Sequence, residues 1–397
     1  MKKVKLRKKH FLIIGIILIF GLLIMQIIFF KNTDMVNESE EAVAEDESQK
    51  QENEIIEESE SKEDIIEKLN ADIDNSSLSF ENGYDYTEKI ISEDESVVLD
   101  KANPYNYLSV PTGIYKYDDL YFIVDCYHSQ IIYNESLGDD LTSWKVLTDN
   151  ESSGYSMGHT IAYDGNVLMC DDTENNRVLV FSKNDNGFAL SQIFENIGTK
   201  PHCIVYDKDT KLFFLLNSYS GEIYMFEYSY EAEKVIVKNA IKSQILSGAY
   251  IRTLSIDDEY IYLASGLRVV ETSEYEPEII IFDKLSMDVV DVIRVSDTLA
   301  GMVQIEHIFD LFYITTSTDI TGSQDAATMI VVENLEDLEK DDYETVYDKW
   351  FVGGGTPYFI GAIDGIYYLT EHRLNNHAIW SFTVDSTGQI TSANTIY

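Results

Sequence analysis

The sequence predicts an all-β domain, a six-bladed β-propeller of four-stranded antiparallel blades, preceded by a single transmembrane helix and a disordered acidic stalk. Three observations carry this expectation. Residues 11 to 30 are an unbroken apolar run of 20 in which Gln26 is the one strongly polar member. Residues 32 to 70 hold no aromatic side chain and are rich in Glu, Ser, Asn and Lys. From about residue 105 to the C-terminus, one hairpin pattern recurs six times.

As a helix rising ~1.5 Å per residue, the apolar run matches a hydrocarbon core of ~30 Å. Lys2, Lys3, Lys5, Arg7, Lys8 and Lys9 precede it and acids follow it. The positive-inside rule therefore places the basic tail, residues 1 to 10, in the cytoplasm and the chain from residue 31 outside. A cleaved signal peptide is the rival reading, with a shorter apolar region and a small-x-small cleavage site. Ile27-Ile28-Phe29-Phe30-Lys31 offers no such site. The expected location is the cell membrane, single-pass, with the propeller extracytoplasmic. Residues 31 to 70 cannot bury enough surface to offset ordering entropy, and their charge extends them, so a disordered stalk is expected there. Residues 71 to 104 are transitional, with Ser96-Val97-Val98-Leu99 a candidate strand.

Charge excludes one class of partner. Beyond residue 10 the chain carries 23 bases against all 70 acids, a net of −47. Nucleic-acid binding needs a basic stripe to meet phosphates, and this surface repels polyanions. Three cysteines, Cys126, Cys170 and Cys203, are an odd number that argues against a disulfide framework. Buried free thiols are the simple reading; one Cys170 to Cys203 bridge is the alternative.

The repeat occupies residues 105 to 397. Pro111-Thr-Gly-Ile, Gly158-His-Thr-Ile, Pro201-His-Cys-Ile, Ile251-Arg-Thr-Leu, Met302-Val-Gln-Ile and Pro357-Tyr-Phe-Ile open its six copies, 43 to 55 residues apart. Such periods fit propeller blades. Each opening leads through a short turn, such as Asp118-Asp119 or Asp364-Gly365, into a second aliphatic or aromatic run. A third run follows, as in Arg177-Val-Leu-Val-Phe and Glu222-Ile-Tyr-Met-Phe, and a weaker fourth, as in Trp144-Lys-Val-Leu. A two-sheet sandwich also has short alternating strands, but it does not predict one hairpin six times at a near-constant period.

These residues resemble NHL-type propeller repeats, whose blades run Pro-x-Gly-Ile, Asp-Gly, an aliphatic strand ending in Asp, then Asn-x-Arg-Ile-x-x-Phe. Gly158-His-Thr-Ile-Ala-Tyr-Asp-Gly, Asp171-Asp172 and Asn176-Arg177-Val-Leu-Val-Phe181 match best, followed by Pro111 to Tyr133. Among six-bladed relatives of that kind, amidating lyases hold a metal on channel histidines and the lactonase group holds Ca²⁺ on carboxylates and amides. The present sequence has no third histidine at the corresponding positions, and no clear set of buried Glu, Asn and Asp ligands. Such motifs specify fold better than activity.

Antiparallel pairing of the first two strands brings the start of one to the height of the end of the other. Counting back from each turn pairs Thr112 with Asp125, His159 with Asp171, His202 with Asn217, Arg252 with Ser265, Val303 with Thr316 and Tyr358 with Glu371. Polar groups therefore gather at one mouth of the channel, where a ligand site is expected. The candidate ligand-binding residues are His159, His202, Arg252, Tyr358, Asp125, Asp171, Asn217 and Glu371. For Asp125 and Asp171 the competing reading is a staple that caps backbone amides within the blade. His159 and His202 are the candidate ligands of a divalent cation, Zn or Ca, with Asp171 and Asn217 the nearest third groups. Arg252 suits a carboxylate or phosphate, and Tyr358 beside Glu371 forms a candidate acid/base pair. The loops Gly266 to Glu278 and Ser317 to Thr328 emerge at this mouth as candidate lids.

The function expected is binding of an extracytoplasmic ligand or protein partner at the polar mouth. A metal-dependent lyase or hydrolase using the same residues is the second reading, and a non-catalytic cell-envelope scaffold the third. No GxSxG, P-loop, HExxH or Cys-x-x-Cys motif occurs.

Overall fold

The computed structural model describes residues 61–73, 86–92, 101–184, 187–243, 246–247, 249–267, 277–374 and 376–397. The apolar run 11–30, the basic tail, the stalk up to residue 60 and the candidate strand at Ser96 to Leu99 lie outside them. Among the described residues no helix is long and apolar enough to cross a membrane.

Six antiparallel sheets follow one another along the chain, each built from four consecutive strands in sequence order. Their first strands are Pro111–Tyr117, Ile161–Tyr163, Pro201–Asp207, Leu254–Ile256, Met302–Ile308 and Thr356–Ile363, which open blades 1 to 6. The residues at the fourth position of the six repeat openings pair identically. Ile114 faces Ile123, Ile161 faces Cys170, Ile204 faces Leu215, Leu254 faces Leu263, Ile305 faces Ile314 and Ile360 faces Leu369. The turns follow from their residues: Asp364 and Gly365 both take positive φ, 52° and 78°, as a two-residue hairpin of the Asp-Gly kind requires.

Alternation along the strands sends apolar side chains to both faces of each sheet, so the core is divided into wedges between neighbouring blades. Phe122, Val124, Ile161 and Leu168 fill the wedge between blades 1 and 2, and Ile305, Ile314, Ile279 and Ile293 that between blades 4 and 5. Blade 5 has only Glu344–Thr345 as its fourth strand. Leu335 and Leu338 of the 3₁₀ turn before it are buried in its place.

Among the described residues the ring closes without a strand shared between blades 1 and 6. Ile363, Tyr368 and Ile379 of blade 6 pack on Ile114, Ile123 and Trp144 of blade 1. The C-terminal Tyr397 lies edge-on to Trp144, and its hydroxyl accepts from Gly138 N at 2.9 Å and donates to Asp139 O at 3.1 Å.

Two expectations are corrected. The pairing counted from the turns is one residue out in four blades: Pro111, Pro201, Met302 and Pro357 face Asp125, Asn217, Thr316 and Glu371. A bulge at Thr112, His202, Val303 and Tyr358–Phe359 supplies the difference, and proline, which has no N–H to give a ladder, suits such a place. The last residues of the expected stalk, 31 to 70, are also ordered. Lys62–Asp72 is a helix, capped by Ser61, which accepts from Asp64 N at 3.2 Å, and it places Ile65, Ile66, Leu69 and Ile73 on one face.

That helix docks against blades 3 and 4, where Leu69 and Ile73 join Ile223, Ile241, Met287 and Val289. Asn70 exchanges two hydrogen bonds with the Val289 backbone, 2.9 and 2.6 Å, and Lys62 pairs with Asp291 at 2.5 Å. Farther on, Thr87–Ile90 adds a fifth strand to the outer edge of blade 2, and Lys101–Ala102 one to blade 1. The described parts of residues 62 to 102 thus form a belt on four blades before the first one begins.

Candidate functional site

Each blade presents the free edge of its first strand to the channel, a row of backbone N–H and C=O groups that must find partners. They find them across the blade boundaries. Thr112 Oγ1 donates to His159 O at 2.8 Å, Ile204 N donates to Thr160 Oγ1 at 2.7 Å, and His202 Nδ1 reaches Arg252 O at 2.8 Å. Thr253 Oγ1 donates to Val303 O at 2.6 Å, Gln304 bonds both N and O of Ile360, and His372 Nε2 meets Pro111 O at 3.0 Å. All six boundaries are stitched in this way. Of the ring positions singled out in the sequence, Thr112 and His202 stitch with their side chains and His159, Arg252 and Val303 with their backbone carbonyls.

The mouth brings together His159, His202, Arg252 and Tyr358, as expected, and adds Tyr250, Cys126 and His372. His159 and His202 stack with centroids 3.6 Å apart and planes at 22°, and Tyr358 stacks on His372 at 4.4 Å. The protons can be placed. The Thr173 hydroxyl donates to Asp171 Oδ2 at 2.8 Å, so it accepts from His159 Nδ1 at 2.9 Å and leaves the Nε2 lone pair facing Cys126 Sγ at 3.8 Å. Facing a carbonyl, His202 Nδ1 must likewise carry its proton. Burial drives both imidazoles to the neutral form: His159 is pushed down to about 3 with help from the Arg252 charge, and His202 well below its ordinary value. Arg252 is buried, lies 4.8 Å over the Tyr250 ring and donates to Gly301 O and Ser317 Oγ.

The second group of residues is consumed inside the blades. Asp125 accepts from Ser109 N at 2.7 Å, His128 Nδ1 at 2.6 Å and Gln130 Nε2 at 3.0 Å. Asp171 accepts from His159 N at 2.9 Å and from Thr160 N at 2.7 Å, while burial pushes its carboxyl up to about 6. Glu371 takes the Tyr347 hydroxyl and, at 2.6 Å, Trp380 Nε1; it does not pair with Tyr358. Asn217 is buried with neither side-chain atom hydrogen-bonded among the described residues. For Asp125 and Asp171 the geometry is that of staples.

The residues do not fit a metal centre. Two imidazoles can share one cation only if their ring planes meet at it, and stacked rings hold their lone pairs side by side. Among the described residues no three His, Cys, Asp or Glu side chains gather as a ligand set. Cys126, Cys170 and Cys203 are free and buried, so no bridge joins the last two.

Open space lies at the opposite end. A cavity of about 310 Å³ occupies the half of the channel nearer the first-to-second strand turns. Equivalent positions of the six first strands at this level hold Tyr115, Ala162, Val205, Ser255, Glu306 and Gly361, all of which line it. Three small residues make the room. Phe359, Tyr115, Tyr117 and Tyr163 form a continuous aromatic wall, with successive centroids 5.5, 6.0 and 5.4 Å apart. Glu306 is ringed by protein at the boundary with blade 6, and burial pushes its carboxyl up to about 8. Its hydrogen-bond partner is the Gln304 amide at 3.2 Å. Sequence reasoning missed Glu306 because attention to the strand starts left the residues beyond Ile305 unread, and it passed over Gln304 as part of the Met302-Val-Gln-Ile opening. The signal was present, since Glu306 is the one acid at its level of the repeat.

No family model matches the chain, and no curated protein matches it. Among solved structures it is similar to a candidate 6-phosphogluconolactonase of Bacteroides fragilis, 14% identical over 73% of this chain and 85% of that one, with a TM-score of 0.50. A second candidate 6-phosphogluconolactonase, from Bacteroides uniformis, is 13% identical over 70% of this chain and 82% of that one, TM-score 0.48. At such identities the likeness is one of fold, a propeller.

Proposed function

We propose that this chain is a membrane-tethered, extracytoplasmic propeller that binds a small ligand inside its channel, admitted from the face that carries the hairpin turns. The observation that carries this is the cavity of about 310 Å³, walled by aromatic rings and holding convergent polar groups, the usual make-up of a small-molecule site. Tethering and orientation rest on the apolar run 11–30 behind a basic tail. The polar mouth is the less suitable place, because its side chains are engaged in stitching and stacking. The metal-dependent lyase or lactonase reading has no ligand set to act through among the described residues.

Ser255 lines the cavity at the level of Glu306, so Ser255→Trp fills it. The full chain in detergent is screened for compounds that raise its melting temperature, beside Ser255→Trp. Compounds that stabilise the wild type and leave the folded variant unmoved support the channel as the site. Equal stabilisation of both removes it.

A further inference from the structure

The sign of the ligand's charge follows from what surrounds the cavity. Every one of the six turns at its open end contributes an acid, Asp118, Asp164, Asp209, Asp257, Asp310 and Asp364; Asp118, Asp209 and Asp364 pair with Lys183, Lys284 and Lys116, and Asp119, Asp258 and Glu259 add further acids beside them. A channel with low-dielectric walls and an acidic collar, in a chain of net charge −41, concentrates cations at its opening and turns anions away. Inside, the one carboxyl of the cavity, Glu306, has no lysine, arginine or histidine within ion-pair distance among the described residues. Among the described residues its carboxyl meets only an amide, while the wall from Phe359 through Tyr115 and Tyr117 to Tyr163 lines the same cavity with aromatic rings, the kind of group that attracts ammonium ions. The lysines that line the outer part, Lys116 and Lys208, stand at strand ends, and Lys116 is already paired with Asp364 at 2.5 Å.

We propose that the channel cavity binds a small organic cation, whose ammonium group sits against Glu306 and the aromatic wall beside it. The inference rests on the channel reading and adds the chemistry of the ligand. A half-buried carboxyl ringed by protein and without a counter-charge favours its protonated form. Seating a cation beside it therefore expels one proton to solvent and leaves a carboxylate paired with the ammonium. Burial pushes Cys203 up to about 12 and raises Tyr115, Tyr117, Tyr163, Tyr206 and Tyr367, while Lys116, raised by its hydrogen bond to Asp364, stays charged. On the adjoining element His307 stands 3.6 Å from Asp257, whose carboxyl is held low by its hydrogen bonds against the opposing effect of burial.

The test uses choline, putrescine, glycerol and acetate as probes of the full chain, titrated calorimetrically at pH 6, 7 and 8 in buffers of different ionisation enthalpy. The expected result is binding of choline and putrescine only, with choline tightening about tenfold per pH unit up to pH 8 and releasing up to one proton. Glu306→Gln, which keeps the shape of the side chain, weakens choline at least tenfold and abolishes the proton release. Two outcomes overturn the inference: no heat from either cation at millimolar concentration, or equal choline affinity in the wild type and Glu306→Gln. Binding of glycerol or acetate that Ser255→Trp abolishes and Glu306→Gln leaves intact overturns it too, while the channel remains the site. Choline binding undiminished in Ser255→Trp removes the channel itself.

Discussion

His159 and His202 come from adjacent blades and stack face to face, yet each directs its Nδ1 proton away from the other, His159 to Thr173 and His202 to the Arg252 carbonyl. They work as structural donors. His202→Ala should cost about 1–3 kcal/mol, because it strands a buried carbonyl. Purified full chain should hold no stoichiometric zinc or calcium by elemental analysis. One bound metal per chain, lost in both His159→Ala and His202→Ala, would contradict the stacked arrangement.

The mouth should lose stability in acid through His372. Its imidazole is pushed down to about 3 by burial, whereas an unfolded chain protonates it near its ordinary value of 6.5. The unfolded state thus binds the proton first, so the histidine's contribution is complete above 6.5 and is lost as pH falls toward 3. Relative to His372→Gln, the wild type should lose up to about 1.4 kcal/mol per pH unit in that window. Urea titrations at pH 7, 6 and 5 read the difference; parallel curves would refute it.

Glu306 should act in the opposite direction. Its folded carboxyl titrates at about 8 against an ordinary 4.5, so the folded state holds the extra proton between these values. Stability is lost as pH rises through that window. Glu306→Gln should match the wild type near pH 4.5 and melt higher at pH 8, in the absence of ligand.

The staple at Glu371 should be expensive to remove. Glu371→Ala leaves both the Tyr347 hydroxyl and Trp380 Nε1 without their acceptor in a buried place, a loss of about 2–5 kcal/mol from two stranded donors. Equilibrium unfolding measures it.

The three thiols should be inert in the folded protein. Burial raises Cys126 and Cys170 well above their ordinary range and Cys203 to about 12, which removes the reactive thiolate. An aromatic disulfide reagent should titrate none in buffer and all three in denaturant.

The fold was legible because one hairpin repeats with its aliphatic fourth position intact, from Ile114 to Ile360. The site was less so. Counting from the turns located the mouth but could not see the bulges at Thr112, His202 and Val303, since a bulge adds a residue without changing the apolar pattern. Nor does sequence say which polar groups are already satisfied. Glu371 reads as a ligand, and Asp171 as either a ligand or a staple, until their donors are placed, whereas Glu306 reads as nothing until its isolation is visible. The helix at Lys62–Asp72 was hidden by its charge: four apolar residues among acids and lysines become a binding face only when the groove between blades 3 and 4 is present to receive them.

The belt gives the molecule an order in which it can come apart. Tension applied from the N-terminal side meets the helix on blades 3 and 4 first, then the four-residue strand on blade 2, then the two-residue strand on blade 1, and only afterwards a strand of the propeller proper. These links form a series of mechanical fuses.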